Sequence, residues 1–221
     1  MEKIRLVITG CGGLGKEILW AANRSIQQGL ASNLDILGFC SPVPEADRDT
    51  IYGLPFFGVP EGDWLDRLAI RPTHFICAIG DNKERKALAE QLEASGLKAC
   101  SIIDPTALVA PDVTIQGGTY IAAYAAISVA AALGRHVIVN FHTSVGHDVV
   151  LADYAHLCPG ARISGRVRVG EGAFIGSNGV VNPRTVIGPW ATLGSASMTN
   201  REIPANATAV GVPARVIWPL A

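Results

Sequence analysis

The chain has 221 residues, 49% of them hydrophobic, and a formal net charge of −1. That length allows one large domain or two small ones with a real core. The near-zero charge gives no electrostatic ground for a nucleic-acid or anionic-membrane partner, and five cysteines without a CxxC spacing read as reduced, mostly buried thiols of a cytoplasmic protein.

The chain opens directly on a buried strand pattern, Ile4–Thr9, so no signal peptide is expected. A glycine turn follows, Gly10-Cys11-Gly12-Gly13-Leu14-Gly15, and then a helix to about Gln28. A second strand is expected over 35–40, then a loop rich in Pro, Asp and Gly that closes at Gly58. A short helix over 64–69 leads to a strand over 74–79. Gly80-Asp81-Asn82 opens a helix over 83–94, and a short strand over 98–102 ends the region. Alternating β and α predicts a Rossmann-like α/β domain over 1–102, with a parallel sheet and helices on its faces. The turn fits GxGxxG at Gly10, Gly12 and Gly15, where backbone can approach a phosphate at a helix N-terminus. A tight turn without a ligand fits the same residues. An NAD clamp wants an acid at the end of the second strand, but that strand ends in Cys40-Ser41-Pro42 and Asp35 lies at its beginning.

From Ile103 every sixth residue is aliphatic: Val109, Ile115, Ile121, Ile127, Leu133, and so on through Ile187 and Leu193. No α-helix has that period, and a two-faced strand repeats every two residues. Short strands meeting at corners do fit, which predicts a parallel β-helix over 103–221. Three strands per coil make an 18-residue coil, so residues 18 apart stack. The run spans a little over five coils, a prism on the order of 25 Å tall. The uncharged, Ala-rich stretch 117–134 keeps the six-residue phase, so it reads as β-helix and not as a membrane span. Small apolar groups over 122–132 are expected on outer faces, as a subunit interface. The tail, 203–221, leaves the repeat.

His147 follows Gly146 and precedes Asp148. An imidazole is the natural general base near neutral pH, and an adjacent carboxylate favours the imidazolium that forms. Gly165 lies one coil on in the same column, leaving space and an accessible amide beside the ring. An exposed corner histidine is the plainer alternative. Cys158, Gly176 and Gly194 form a column of small residues, as do Pro159, Ser177 and Ser195. They outline a furrow for a long, thin ligand arm, or plain corner packing. His136, His142, His147 and His156 lie near one another in sequence, but the upstream position of a zinc-hydrase pattern holds Thr106. No metal is expected. Cys158 shares its column with Asn140 and with no histidine, which argues against a covalent nucleophile.

Several motifs together carry a family resemblance. They are the glycine turn, Gly38-Phe39, Ala78-Ile79-Gly80-Asp81-Asn82 with Arg85, the hexads with Asn140…Val145-Gly146-His147-Asp148…His156, and Gly211-Val212-Pro213-Ala214-Arg215. The chain resembles sugar acetyltransferases of the sialic acid O-acetyltransferase and bacillosamine N-acetyltransferase type. The resemblance implies a left-handed β-helix, a homotrimer, and acetyl-CoA bound between neighbouring subunits. It implies His147 as base, supported by Asp148 and arranged by Asn140. His156, Gly165, Ser177, Ser195 and Arg215 would serve the coenzyme. Gly12, Gly13, Leu14, Ser41, Asp81 and Asn82 would face a nucleotide-activated sugar. Two positions depart from the family pattern: Leu14 stands where members commonly have histidine, and Ser41-Pro42 where they commonly have two aspartates. The expected function is acetyl transfer from acetyl-CoA to a sugar amine or hydroxyl in surface-glycan synthesis. A non-sugar amine acceptor, or a non-catalytic nucleotide-binding scaffold, are the alternatives.

Overall fold

The structure is a computed structural model that describes residues 2–43 and 50–218. Positions 44–49, the Pro- and Asp-rich part of the loop expected after the second strand, lie outside the described residues. The chain divides into two compact units, Met1–Pro105 and Thr106–Ala221.

In the first unit β1 (Ile4–Thr9), β2 (Leu34–Cys40), β5 (His74–Cys77) and β6 (Lys98–Ala99) form a parallel sheet in the order β2-β1-β5-β6. A small antiparallel hairpin, β3 (Thr50–Ile51) and β4 (Leu54–Pro55), intervenes in sequence. Leu6, Val7 and Ile8 are fully buried, as a strand covered on both faces requires. Helix α1 (Gly13–Gln27) buries Ile18, Leu19, Ala21 and Ala22 on one stripe. Helix α2 (Asn82–Ala94) is capped by Asp81, whose carboxylate accepts from the amides of Lys83 and Glu84. Three boundaries differ from expectation; the strand expected over 74–79 ends at Cys77. The helix at 64–69 is a single 3₁₀ turn, Trp64–Arg67, and the strand expected over 98–102 splits into Lys98–Ala99 and Ile102–Ile103.

The second unit is a β-solenoid of two-residue strands. Its three parallel ladders have a register of 18: Tyr120 pairs with Ile138, Ala126 with Ser144, and Ala132 with Val150. We call these the first, second and third ladders. The corners between first and second, and between second and third, are the first and second edges. Each coil hydrogen-bonds to the next through its backbone: the amides of Ile138 and Asn140 donate to the carbonyls of Ala155 and Leu157. The sixth-residue aliphatics point inward and form one continuous core from Ile121 to Leu193. Each such side chain contributes about 1.5–3 kcal/mol by burial. One residue in each coil corner adopts a left-handed backbone, among them Tyr124, His142, Asp148, Arg166 and Arg184. The tail re-enters the first ladder: Thr208–Gly211 pairs with Thr192-Leu193, then turns back antiparallel to Ala214–Trp218.

The Ala-rich segment corrects part of an expectation. Ala122, Ala123, Ala125 and Ala131 are buried, so they pack within the chain and not on an outer face. Ala126 and Ala132 are half-buried and Ala130 is exposed, and larger apolar groups stand outward near them: Leu108 is 74% exposed and Val129 52%. They flank a trough of about 640 Å³ along the second ladder, which Ala126, Ser144 and Arg162 also line. Among the described residues no helix is long and apolar enough to cross a membrane.

Candidate active site

His147 and Asp148 occupy the second edge. The corner after Val145 swings the chain outward, and Asp148 takes the left-handed position there, with φ +57°. The imidazole Nδ1 lies 2.7 Å from Asp148 Oδ2. With Nδ1 engaged, the working nitrogen is Nε2, which faces Gly165 on the next coil. A Cβ built on Gly165 would lie 2.5 Å from Nε2 and 2.8 Å from Cε1, so any side chain there displaces the ring. The Gly165 carbonyl accepts from the Arg184 amide, whereas its own amide donates to no acceptor among the described residues. A free amide beside a free ring nitrogen is the arrangement an acyl-transfer site needs: a base, and a donor for the carbonyl oxygen as it gains charge.

Arg166, one coil below Asp148, places Nε 3.6 Å from the same Oδ2. The hydrogen bond from His147 is the chief cause that holds the Asp148 carboxyl below the usual carboxylate range; the charges of His147 and Arg166 add to it. A pocket of about 170 Å³ opens here, lined by His147, Gly165, Arg166, Pro183 and Arg184. The role of Arg166 was not read from sequence, although its 18-residue spacing from Asp148 was the available signal.

The other expected residues do not converge on His147 within one chain. Asn140, Ser177 and Ser195 lie on the first edge, across the second ladder from His147. The Asn140 side-chain oxygen accepts from the Phe141 amide, 2.8 Å away. His156 sits on the first ladder, 7% exposed, its ring edge-on to Phe174 at 5.1 Å. Arg215 lies on the tail strand, where its guanidinium donates to the Ala214 carbonyl. The small column through Gly176 answers to coil stacking: a Cβ there would come 2.5 Å from the Ser195 nitrogen. The histidines are dispersed as well. His136 stacks on Tyr154 and His142 on Tyr124, and no group of three or more His, Cys, Asp or Glu is placed to hold a metal among the described residues.

In the first unit the expected residues gather at the carboxyl ends of the parallel strands, where such sheets take ligands. Gly12 and Gly13 are exposed, and a Cβ on either would meet nothing within 4 Å. Gly15 is different, because a Cβ there would strike the Gly10 carbonyl oxygen. Gly12 caps α1 without a side-chain bond, leaving the first-turn amides facing outward. Leu14 is half-buried. Ser41 is buried, and its hydroxyl accepts from the Val43 amide. Asp81 is committed to its capping bonds, and Asn82 is 7% exposed. Two further residues shape this end. Arg85 is 1% exposed and donates to the Ile79 carbonyl at 3.0 Å, fixing the segment before Asp81. The Tyr52 hydroxyl donates to the Cys11 carbonyl at 3.2 Å, and the Lys16 ammonium lies 5.5 Å from the Tyr52 ring centre.

Comparison with known proteins gives this geometry a setting. Residues 5–92 match the family described as PglD N-terminal domain. GDP-perosamine N-acetyltransferase of Escherichia coli O157:H7 is 28% identical over 213 residues, 94% of each chain. A point variant of perosamine N-acetyltransferase from Caulobacter crescentus, crystallised with CoA and GDP-perosamine, superposes with a TM-score of 0.84 at 29% identity, covering 96% of both chains. The acetyltransferase domain of PglB from Neisseria gonorrhoeae FA1090, in complex with acetyl coenzyme A, gives 0.85 at 28% identity over 97% of this chain and all of that one. The N-terminal match, the solenoid and the whole-chain similarity agree: the chain is homologous to the GDP-perosamine and PglB sugar acetyltransferases.

Proposed function

We propose that this protein is a cytoplasmic, acetyl-CoA-dependent acetyltransferase acting on an amine or hydroxyl of a nucleotide-activated sugar in surface-glycan synthesis. One observation carries the reading: His147 has Nδ1 on Asp148 and Nε2 beside Gly165, whose amide is free. Nε2 takes the proton from the attacking amine or hydroxyl. Asp148 holds the ring in the tautomer with Nδ1 protonated and stabilises the imidazolium. The Gly165 amide donates to the thioester oxygen as charge develops on it; when the tetrahedral adduct collapses the C–S bond breaks, and the imidazolium returns its proton to the departing CoA thiolate. The missing side chain at Gly165 is what lets the imidazole lie against that coil, beside the amide. The homologues crystallised with CoA and acetyl coenzyme A support that co-substrate.

The assembly we propose is a homotrimer. His147, Asp148 and Gly165 lie on one edge, and Asn140, Ser177 and Ser195 on the other, so a single chain does not complete the site. The exposed Leu108, the trough and the half-buried Ala126 between those edges suit a packed interface. Gly12 and Gly13, with Leu14, Ser41, Asp81 and Asn82 around them, are proposed to receive the nucleotide. Gly12 and Gly13 have the open space and outward amides for a phosphate.

Incubation with acetyl-CoA and a panel of GDP- and dTDP-linked amino sugars tests the reading. Mass spectrometry is expected to find one acetylated nucleotide sugar. Binding of nucleotide sugars without acetyl transfer from any of them points to the scaffold. Acetylation of free small amines alone points to the non-sugar acceptor. Light scattering is expected to give a trimer, and a monomer at micromolar concentration removes the shared site.

A further inference from the structure

The left-handed corners stack into three columns, one per edge, and their contents differ. On the first edge the column reads Tyr124, His142, Gly160, Asn178 and Ala196. On the third it reads Gly118, His136, Tyr154, Gly172 and Trp190. The second edge alone stacks a carboxylate on two guanidiniums: Asp148, Arg166 and Arg184. Arg166 has Asp148 at 3.6 Å, whereas Arg184 is exposed and has no ion pair among the described residues. Both guanidinium-bearing residues line the 170 Å³ pocket that His147 and Gly165 share.

We propose that Arg166 and Arg184 form an oxyanion subsite beside His147 that holds a phosphate ester or carboxylate of the acetyl acceptor. Successive coils are about 4.8 Å apart, so Arg184 stands roughly 10 Å down the edge from the dyad. An anion attached to the sugar ring that is being acetylated falls within that span. The coenzyme phosphates do not suit it, because the whole pantetheine arm separates them from the thioester at His147. Guanidinium forks match the geometry of both phosphate and carboxylate. The inference rests on the acyl-transfer reading of His147, and it narrows the acceptor to one that is anionic near its reactive group.

Calorimetry on the full chain, saturated with CoA, tests it with two probes: glucosamine 1-phosphate and glucuronate. The wild type is expected to bind at least one of them. Preference for the first assigns the anion to a phosphate ester, and preference for the second to a carboxylate. Arg184→Gln removes an exposed group and is expected to weaken that probe by about ten-fold or more, with the Kd for CoA unchanged. Arg166→Gln is expected to weaken it too. The proposal is overturned if neither probe binds, if both variants bind it as well as wild type, or if Arg184→Gln weakens CoA instead. Failure of acetyl transfer with probe binding intact sinks the acyl-transfer reading and not the anion subsite.

Discussion

In the second unit a residue's place follows from its number; in the first it does not. Along the solenoid, 18 residues carry a side chain to the coil below, so His147 and Gly165, or Asp148 and Arg166, meet by arithmetic. In the first unit, Gly12, Ser41 and Asp81 reach one end of a sheet only because β1, β2 and β5 are neighbours in an order the chain does not spell out. The difference teaches where each kind of reading succeeds. A repeat exposes its exceptions, and a glycine under a histidine stands out as one. A non-repeating α/β unit hides them among ordinary turns.

The largest expected effect tests whether the units hold together by separate cores. Leu157 is fully buried in the solenoid and Ile8 in the first sheet. Truncating either to alanine is expected to cost about 2–5 kcal/mol. Each coil leans only on its neighbours, so hydrogen exchange is expected to show protection lost in the coils for Leu157→Ala and in the first unit for Ile8→Ala. Equal loss in both units for both variants breaks the comparison.

Gly165→Ala comes next. Its new methyl displaces the imidazole, and transfer is expected to fall at least about 10²-fold with the fold intact. Unchanged turnover would separate the ring from the chemistry. Within the glycine turn, Gly12→Val and Gly15→Ala sharpen the contrast between open and packed glycines. The first is expected to leave circular dichroism unchanged while raising the acceptor KM, and the second to destabilise the first unit. A Gly12→Val enzyme with unaltered acceptor KM places the acceptor elsewhere.

The smallest effect is alkaline. Burial pushes the Cys77 thiol up to about 12 and Cys100 to about 11 in the first unit, against Cys158 at about 11 in the second. Burial raises Cys40 as well. A thiol whose folded pKa is raised contributes stability that is fully present below the unfolded value, near 9, and lost as pH rises through the folded value. Between about pH 9 and 12 the first unit is therefore expected to lose more protection than the second. Cys77→Ala is expected to reduce that difference, and an unchanged difference contradicts the assignment to Cys77.

The six-residue period made the solenoid, its 18-residue register and the His147–Asp148–Gly165 group legible before any coordinates. What the period did not reveal was direction. It placed small residues over 122–132 but not which way they faced, and Ala122 and Ala131 proved buried. It put Gly176 in a furrow, where the reason for glycine is the Ser195 backbone of the next coil. It grouped Asn140 with His147 through a resemblance, although the ladder order sets them on opposite edges of one chain. In the first unit, Arg85 was named within the family motif, but what it and Tyr52 touch was out of reach for another reason. Their partners are the carbonyls of Ile79 and Cys11, and backbone acceptors leave no mark in the sequence.

The central claim is that His147 is the base for acetyl transfer, and His147→Ala tests it most directly. The side chain is exposed and belongs to no core, so the variant is expected to fold and to bind CoA as wild type does. Its rate of acetyl transfer to the nucleotide-sugar acceptor is expected to fall by about 10²–10⁴. A His147→Ala protein that acetylates the acceptor at close to the wild-type rate contradicts the account.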